Sequence, residues 1–173
     1  FSVRAANYSR GVHFCYFDVD GDQDIYISRY RLHNNILLVN NGDMDFDEEG
    51  VSRGVAGHMI SGAWGHTIGS TWCDFDNDGD FDLICANLAH PRLITFSDKT
   101  YIYRNDGDGT FTDIYATSGI SYYETHSNPS VGDYDLDGNL DLYISCVYEG
   151  YRSFIYRGNG DGTFAPADYE TGI

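Results

Sequence analysis

Three short apolar runs, Ile25–Ile27, Leu83–Ala86 and Leu142–Ile144, each follow directly on a stretch in which aspartate recurs at alternate positions. Runs of this length, bounded by turn residues, predict strands buried on both faces. Downstream, "IYRNDGDGTFTDI" and "IYRGNGDGTF" set strand residues on either side of a glycine-rich turn, which predicts a hairpin. Glycine supplies the positive φ that such turns need. Fifteen tyrosines, ten phenylalanines and twenty glycines suit strands and turns better than helices, and no amphipathic pattern runs beyond about ten residues. The expectation is an all-β chain with about four short strands per unit.

The units repeat. Gly21, Gly79 and Gly138 lie 58 and 59 residues apart, within "YFDVDGDQDIYI", "DFDNDGDFDLIC" and "DYDLDGNLDLYI". Aligning Phe1, Phe46, Phe111 and Phe164 gives units of residues 1–45, 46–110 and 111–163, with a fourth beginning at 164–173, all in one repeat domain. The middle unit is longest, with extra residues around Gly62–Gly69 and Leu93–Thr100, which are expected to lie on loops where recognition residues often sit.

Charge narrows the partners. Twenty-seven acids stand against ten Lys and Arg, for a net charge of −17, so nucleic acid and anionic membrane surfaces are poor partners. No apolar stretch reaches about 18 residues, so no membrane span is expected. The chain starts at Phe1 with neither a methionine nor a signal-peptide pattern, and is read as processed, excised or partly observed. Cys15, Cys73, Cys85 and Cys146 form no CxxC, and spacing leaves two disulfides or buried thiols equally open.

The acids concentrate in the repeated loops. At an effective dielectric of about 20, two carboxylates roughly 4 Å apart repel by about 4 kcal/mol. Either such a loop extends into solvent as an acidic turn, or it surrounds a cation, and the repetition of the pattern favours the cation. With the glycine as position 6, the second loop offers Asp74, Asp76 and Asp78 at positions 1, 3 and 5, and Asp82 at position 9. The third offers Asp133, Asp135, Asp137 and Asp141. The first offers Asp18, Asp20 and Asp24 but carries Tyr16 at position 1, so its site is expected to be weaker. The position-7 carbonyl, of Asp22, Asp80 or Asn139, adds a further oxygen. Such an all-oxygen, flexible shell favours Ca²⁺ over Mg²⁺. An EF-hand is rejected, because Ile27, Cys85 and Ile144 occupy position 12, where that loop needs a bidentate Glu.

These loops, each followed by a glycine-rich hairpin, resemble FG-GAP/VCBS-type repeats, the calcium-loop blades of integrin α-subunit propellers and of many secreted proteins. The resemblance covers essentially the whole chain. It implies β-propeller-type blades of four antiparallel strands, with Ca²⁺ held by positions 1, 3, 5 and 9 and the carbonyl at 7. It further implies a secreted or cell-surface scaffold for adhesion or recognition, with a protein or glycan ligand. Propellers close with about four to eight blades, so three repeats imply a partial or open propeller, completed by further blades or by copies of the chain. Two alternatives stand beside that reading. One is a lectin or polysaccharide lyase using Trp64, Trp72, Tyr122 and Tyr123. The other is a repeating subunit of a filament.

No catalytic constellation emerges. There is no GxSxG elbow, and the six histidines (His13, His33, His58, His66, His90, His126) show neither HxH nor HExxH spacing, so no enzyme is expected. Asn7-Tyr8-Ser9 is a permissible N-glycosylation sequon, whereas proline blocks Asn128-Pro129-Ser130.

Overall fold

A computed structural model describes residues 7–43, 45–88, 99–121 and 125–167. They form three four-stranded antiparallel sheets and no helix. The first is β1 (Ser9–Cys15), β2 (Asp24–Arg29), β3 (Ile36–Asn40) and β4 (Phe46–Glu48). The second is β5 (Thr67–Cys73), β6 (Asp82–Asn87), β7 (Tyr101–Asn105) and β8 (Phe111–Asp113). The third is β9 (His126–Gly132), β10 (Asp141–Cys146), β11 (Phe154–Gly158) and β12 (Phe164–Pro166). Each is a meander in chain order, and the three do not close into a barrel: they are open, propeller-like blades. The last strand of each sheet begins at Phe46, Phe111 or Phe164, the residues that open the next sequence unit, so the sheets are phased differently from the sequence units.

The period of two along a strand decides what each face meets. In the first sheet Cys15, Tyr26, Leu37 and Val39 face the second, where they pack on Leu83, Cys85, Tyr101 and Tyr103. The second sheet's other face, Ile84, Ala86 and Ile102, packs on Leu142, Ile144, Phe154 and Tyr156 of the third. The middle sheet is therefore buried on both faces, and all six residues of β6 are buried, as an unbroken apolar run predicts.

The outer sheets depart from that expectation. Tyr143, in the middle of the third apolar run, is 37% exposed, because among the described residues no sheet lies on its side of β10. A second correction concerns the residues assigned to a loop insertion around Gly62–Gly69. Thr67, Ile68 and Gly69 open β5, the strand of the middle blade that packs on both β1 and β9. Trp72 lies on the same strand rather than in a loop. Its ring sits 5.9 Å from Tyr26, 5.9 Å from Phe111 and 6.3 Å from Phe17, so it is spent on joining the first two sheets. The Leu93–Thr100 segment lies outside the described residues up to position 98, as do His90, Tyr122 and Tyr123.

The links between sheets are braced alike. Phe111 donates its N–H to Arg53 O at 3.0 Å, and Phe164 donates its own to Ser118 O at 2.7 Å. Gly54 and Gly119, next in each linker, hold φ of +87° and +81°, and a Cβ at either would collide with the carbonyl oxygen of Phe111 or Phe164. Only glycine serves there.

Candidate metal centre

Each aspartate loop joins the first strand of a blade to the second: β1 to β2, β5 to β6 and β9 to β10. The backbone takes one shape in all three. Position 6 is glycine at φ +97°, +98° and +94°, and position 4 is also left-handed, with Val19 at +58°, Asn77 at +61° and Leu136 at +61°. Side chains at positions 1, 3 and 5 curl the loop by accepting its own amides. Asp74 Oδ1 and Oδ2 take the N–H groups of Asp78 and Gly79, each at 3.1 Å. Asp133 takes those of Asp137 and Gly138 at 3.1 and 3.0 Å. The position-5 carboxylate accepts the amide of position 7: Asp80 N–H donates to Asp78 Oδ1 at 2.9 Å and Asn139 N–H to Asp137 Oδ1 at 2.8 Å. In the first loop Tyr16 has no carboxylate for the position-1 role, and the turn keeps only Asp20–Asp18 at 3.4 Å and Asp22–Asp20 at 2.9 Å.

Position 9 is fully buried and ties the loop to the following hairpin. Asp82 accepts Asn105 N–H at 2.8 Å and Phe75 N–H at 3.0 Å. Asp141 accepts Gly158 N–H at 2.9 Å and Tyr134 N–H at 2.8 Å. Asp24 accepts Asn40 N–H at 3.0 Å. Each carboxylate oxygen has a second lone pair, so these bonds leave capacity for a ligand on the other side.

Carboxylate oxygens of Asp74, Asp76 and Asp78 lie within 4.8 Å of one another, and so do those of Asp133, Asp135 and Asp141. Among the described residues the first loop gathers no such trio, and Asp18, Asp20, Asp22 and Asp24 stand apart in that sense. Among the described residues Asp80, Asp82 and Asp137 join no such trio. Burial drives the Asp82 carboxyl up to about 7 and that of Asp24 up to about 6, and nearby loop aspartates push the same way. Asp76 and Asp18 are raised for the same first cause. Asp76 Oδ1 is buried with no hydrogen-bond donor. A desolvated carboxylate oxygen without a donor is costly, and a hard cation is the partner it fits. The donor set of the second and third loops therefore suits a divalent ion.

The sequence reading missed two residues beside these loops. Arg157, on β11, places Nε 2.7 Å from Asp135 Oδ2, and Arg104, at the same register of β7, bonds Asp106 at 2.8 Å. Val39 fills that register in the first blade. The signal was the shared "IYR" ahead of both glycine turns.

Other predicted residues fall elsewhere. His126 is buried, its Nδ1 2.6 Å from Thr100 Oγ1, and His33 stacks on Tyr8 at 4.9 Å. The described histidines join no trio of metal-ligating atoms. Cys15, Cys73 and Cys85 are buried free thiols and Cys146 is a half-buried one, so the disulfide option is not taken up. Asn7 is exposed at a turn and Trp64 is half-buried.

Comparison with known proteins adds a family. The FG-GAP-like repeat is matched twice, at residues 16–85 and 74–144. Mouse cartilage acidic protein 1 is 26% identical over 133 residues, which is 74% of this chain and 21% of that protein. The chain thus spans about a fifth of the length of that relative. A solved structure of an Agrocybe aegerita lectin, reported for recognition of non-reducing terminal N-acetylglucosamine, superposes with a TM-score of 0.50 at 17% identity. It covers 92% of this chain and 38% of the lectin, a likeness of fold.

Proposed function

The chain belongs to the FG-GAP-like repeat family, and from that premise we propose that it is a Ca²⁺-stabilised, non-catalytic recognition scaffold of the extracellular space. Two ions are held by Asp74, Asp76, Asp78 and Asp82 with the Asp80 carbonyl, and by Asp133, Asp135, Asp137 and Asp141 with the Asn139 carbonyl. A weaker third site uses Asp18, Asp20, Asp24 and the Asp22 carbonyl. What the ion supplies is charge neutralisation. The observation that carries this reading is Asp76 Oδ1, buried without a donor inside a trio of converging carboxylates. Extracellular Ca²⁺ is millimolar, which suits sites of this kind. Equilibrium dialysis against ⁴⁵Ca²⁺ tests the assignment: two ions per chain are expected, with both lost in a combined Asp76→Ala, Asp135→Ala variant. No saturable uptake would refute it.

A second reading, carbohydrate binding, is favoured by one feature. Tyr148 and Tyr151 are exposed at the end of the blades away from the aspartate loops, where aromatic rings can support sugar stacking. A glycan array without a single hit would remove it.

A further inference from the structure

The second and third blades carry the same loop and the same arginine beside it, yet the arginine meets a different carboxylate in each. Arg104 and Arg157 occupy one register, opposite Thr112 on β8 and Ala165 on β12. Arg104 donates from Nη2 to Asp106 Oδ1 at 2.8 Å, and Thr112 Oγ1 donates to the other oxygen of Asp106 at 2.7 Å. In that blade Asp76 Oδ1 is buried with no donor among the described residues, although Arg104 and Asp76 line one pocket. In the third blade Asn159 stands in the place of Asp106, and its amide donates to Thr163 Oγ1 at 2.9 Å. A neutral amide has no charge with which to hold a guanidinium. Arg157 Nε lies instead 2.7 Å from Asp135 Oδ2. Asp135 is the position-3 residue of the third loop, as Asp76 is of the second, and each belongs to a trio of converging carboxylates.

A carboxylate that already carries a cation is a poorer metal ligand, because an arriving ion must displace the guanidinium or accept a like charge beside it. We propose that Asp106 and Asn159, outside the loops themselves, set how tightly the two loops hold a divalent ion. Asp106 draws Arg104 away from Asp76, whereas Asn159 leaves Arg157 on Asp135 as a built-in competitor. The two residues grade an affinity whose existence rests on the metal reading above. The third loop therefore fills at higher Ca²⁺ than its carboxylates alone would require. The pairing lies within each blade. Arg104 keeps 44% of its side chain exposed with the third sheet packed on its side of β7, against 40% for Arg157, so a neighbour on that face leaves this register open.

Equilibrium dialysis of the full chain against ⁴⁵Ca²⁺, at about 0.15 M salt to screen distant charges, tests it. A chain carrying Asp76→Ala reports the third loop. In that background Asn159→Asp and Arg157→Met should each lower the dissociation constant by about threefold to tenfold. An arginine with a merely structural role would weaken binding when removed. Asn159→Asp added to Arg157→Met should change the affinity by less than about twofold, because the arginine it would attract is gone. In the reverse direction, a chain carrying Asp135→Ala reports the second loop, and Asp106→Asn should weaken it by a similar factor by releasing Arg104 onto Asp76. Asn159 is exposed in a turn where the second blade already uses aspartate, so Asn159→Asp should fold whatever Arg157→Met does. Third-loop affinity unmoved by both substitutions, or Asn159→Asp acting in full without Arg157, would overturn the proposal and leave the metal site standing. No saturable uptake by the Asp76→Ala chain would remove the third-loop site itself, and the proposal with it.

Discussion

Removing metal should make stability depend on pH through one carboxylate above all. Asp82 is fully buried, its two oxygens hold the amides of Asn105 and Phe75, and burial raises its carboxyl to about 7 from an ordinary 3.8. The folded state therefore binds the proton more tightly than the unfolded state. The stability this brings is complete below about pH 4 and is lost as pH rises through 7. Three units at 1.36 kcal/mol each amount to about 4 kcal/mol. Asp24, raised to about 6, adds a slope of the same sign that ends about a unit earlier. His126 works the other way: buried, with its pKa pushed down to about 4, it costs stability as pH falls below 6.5. The two signs overlap between pH 4 and 6.5, so the raw curve does not isolate Asp82. The difference between wild type and Asp82→Asn does, since the variant removes only the Asp82 contribution. Urea unfolding in EDTA at half-unit steps from pH 5 to 8 would provide it. The wild type should lose roughly 3 kcal/mol relative to the variant across that range. Saturating Ca²⁺ should flatten that difference, because a bound cation favours the charged carboxylate. Parallel curves for the two proteins in EDTA would refute the reasoning.

Three further outcomes follow from the loops and interfaces. Val19 holds φ +58° where Asn77 stands in the second loop, so Val19→Asn should relieve about 1 kcal/mol of backbone strain, read as a raised urea midpoint in Ca²⁺. Tyr16→Asp restores the missing position-1 carboxylate and should raise the ⁴⁵Ca²⁺ stoichiometry from two to three. Gly69→Ala directs a Cβ into Asn128 Oδ1 and the Ser127 carbonyl and should cost about 1–3 kcal/mol through overpacking, measured by calorimetry.

Much of this was written plainly in the chain. The loops were legible because glycine at position 6 and aspartates at positions 1, 3 and 5 are tied to backbone geometry. The second strands were legible because β6 meets a sheet on each face. The first strands were harder. "HSNPSVG" forms β9 although it has no apolar run and contains Pro129. It is held by pairing with β10 and by packing between sheets, and neither has a local signature. Trp72 misled for the same reason, since an aromatic residue beside an apparent insertion is also what an inter-blade strand looks like. Tyr143 was expected to be buried because a buried and an unmated strand share one pattern. Only the neighbouring sheet decides between them. The arginines beside the loops were recoverable from the repeated "IYR", but their pairing with Asp135 and Asp106 depends on a register set in three dimensions.

Calcium-dependent unfolding tests the central claim most directly, namely that divalent ions relieve the repulsion within these loops and so hold the blades. Two sites, each saturated at about a hundredfold above its dissociation constant, should add roughly 5 kcal/mol to the free energy of unfolding. The urea midpoint should therefore fall sharply on adding EGTA and recover on restoring Ca²⁺. A midpoint that does not move between the two conditions would contradict the account.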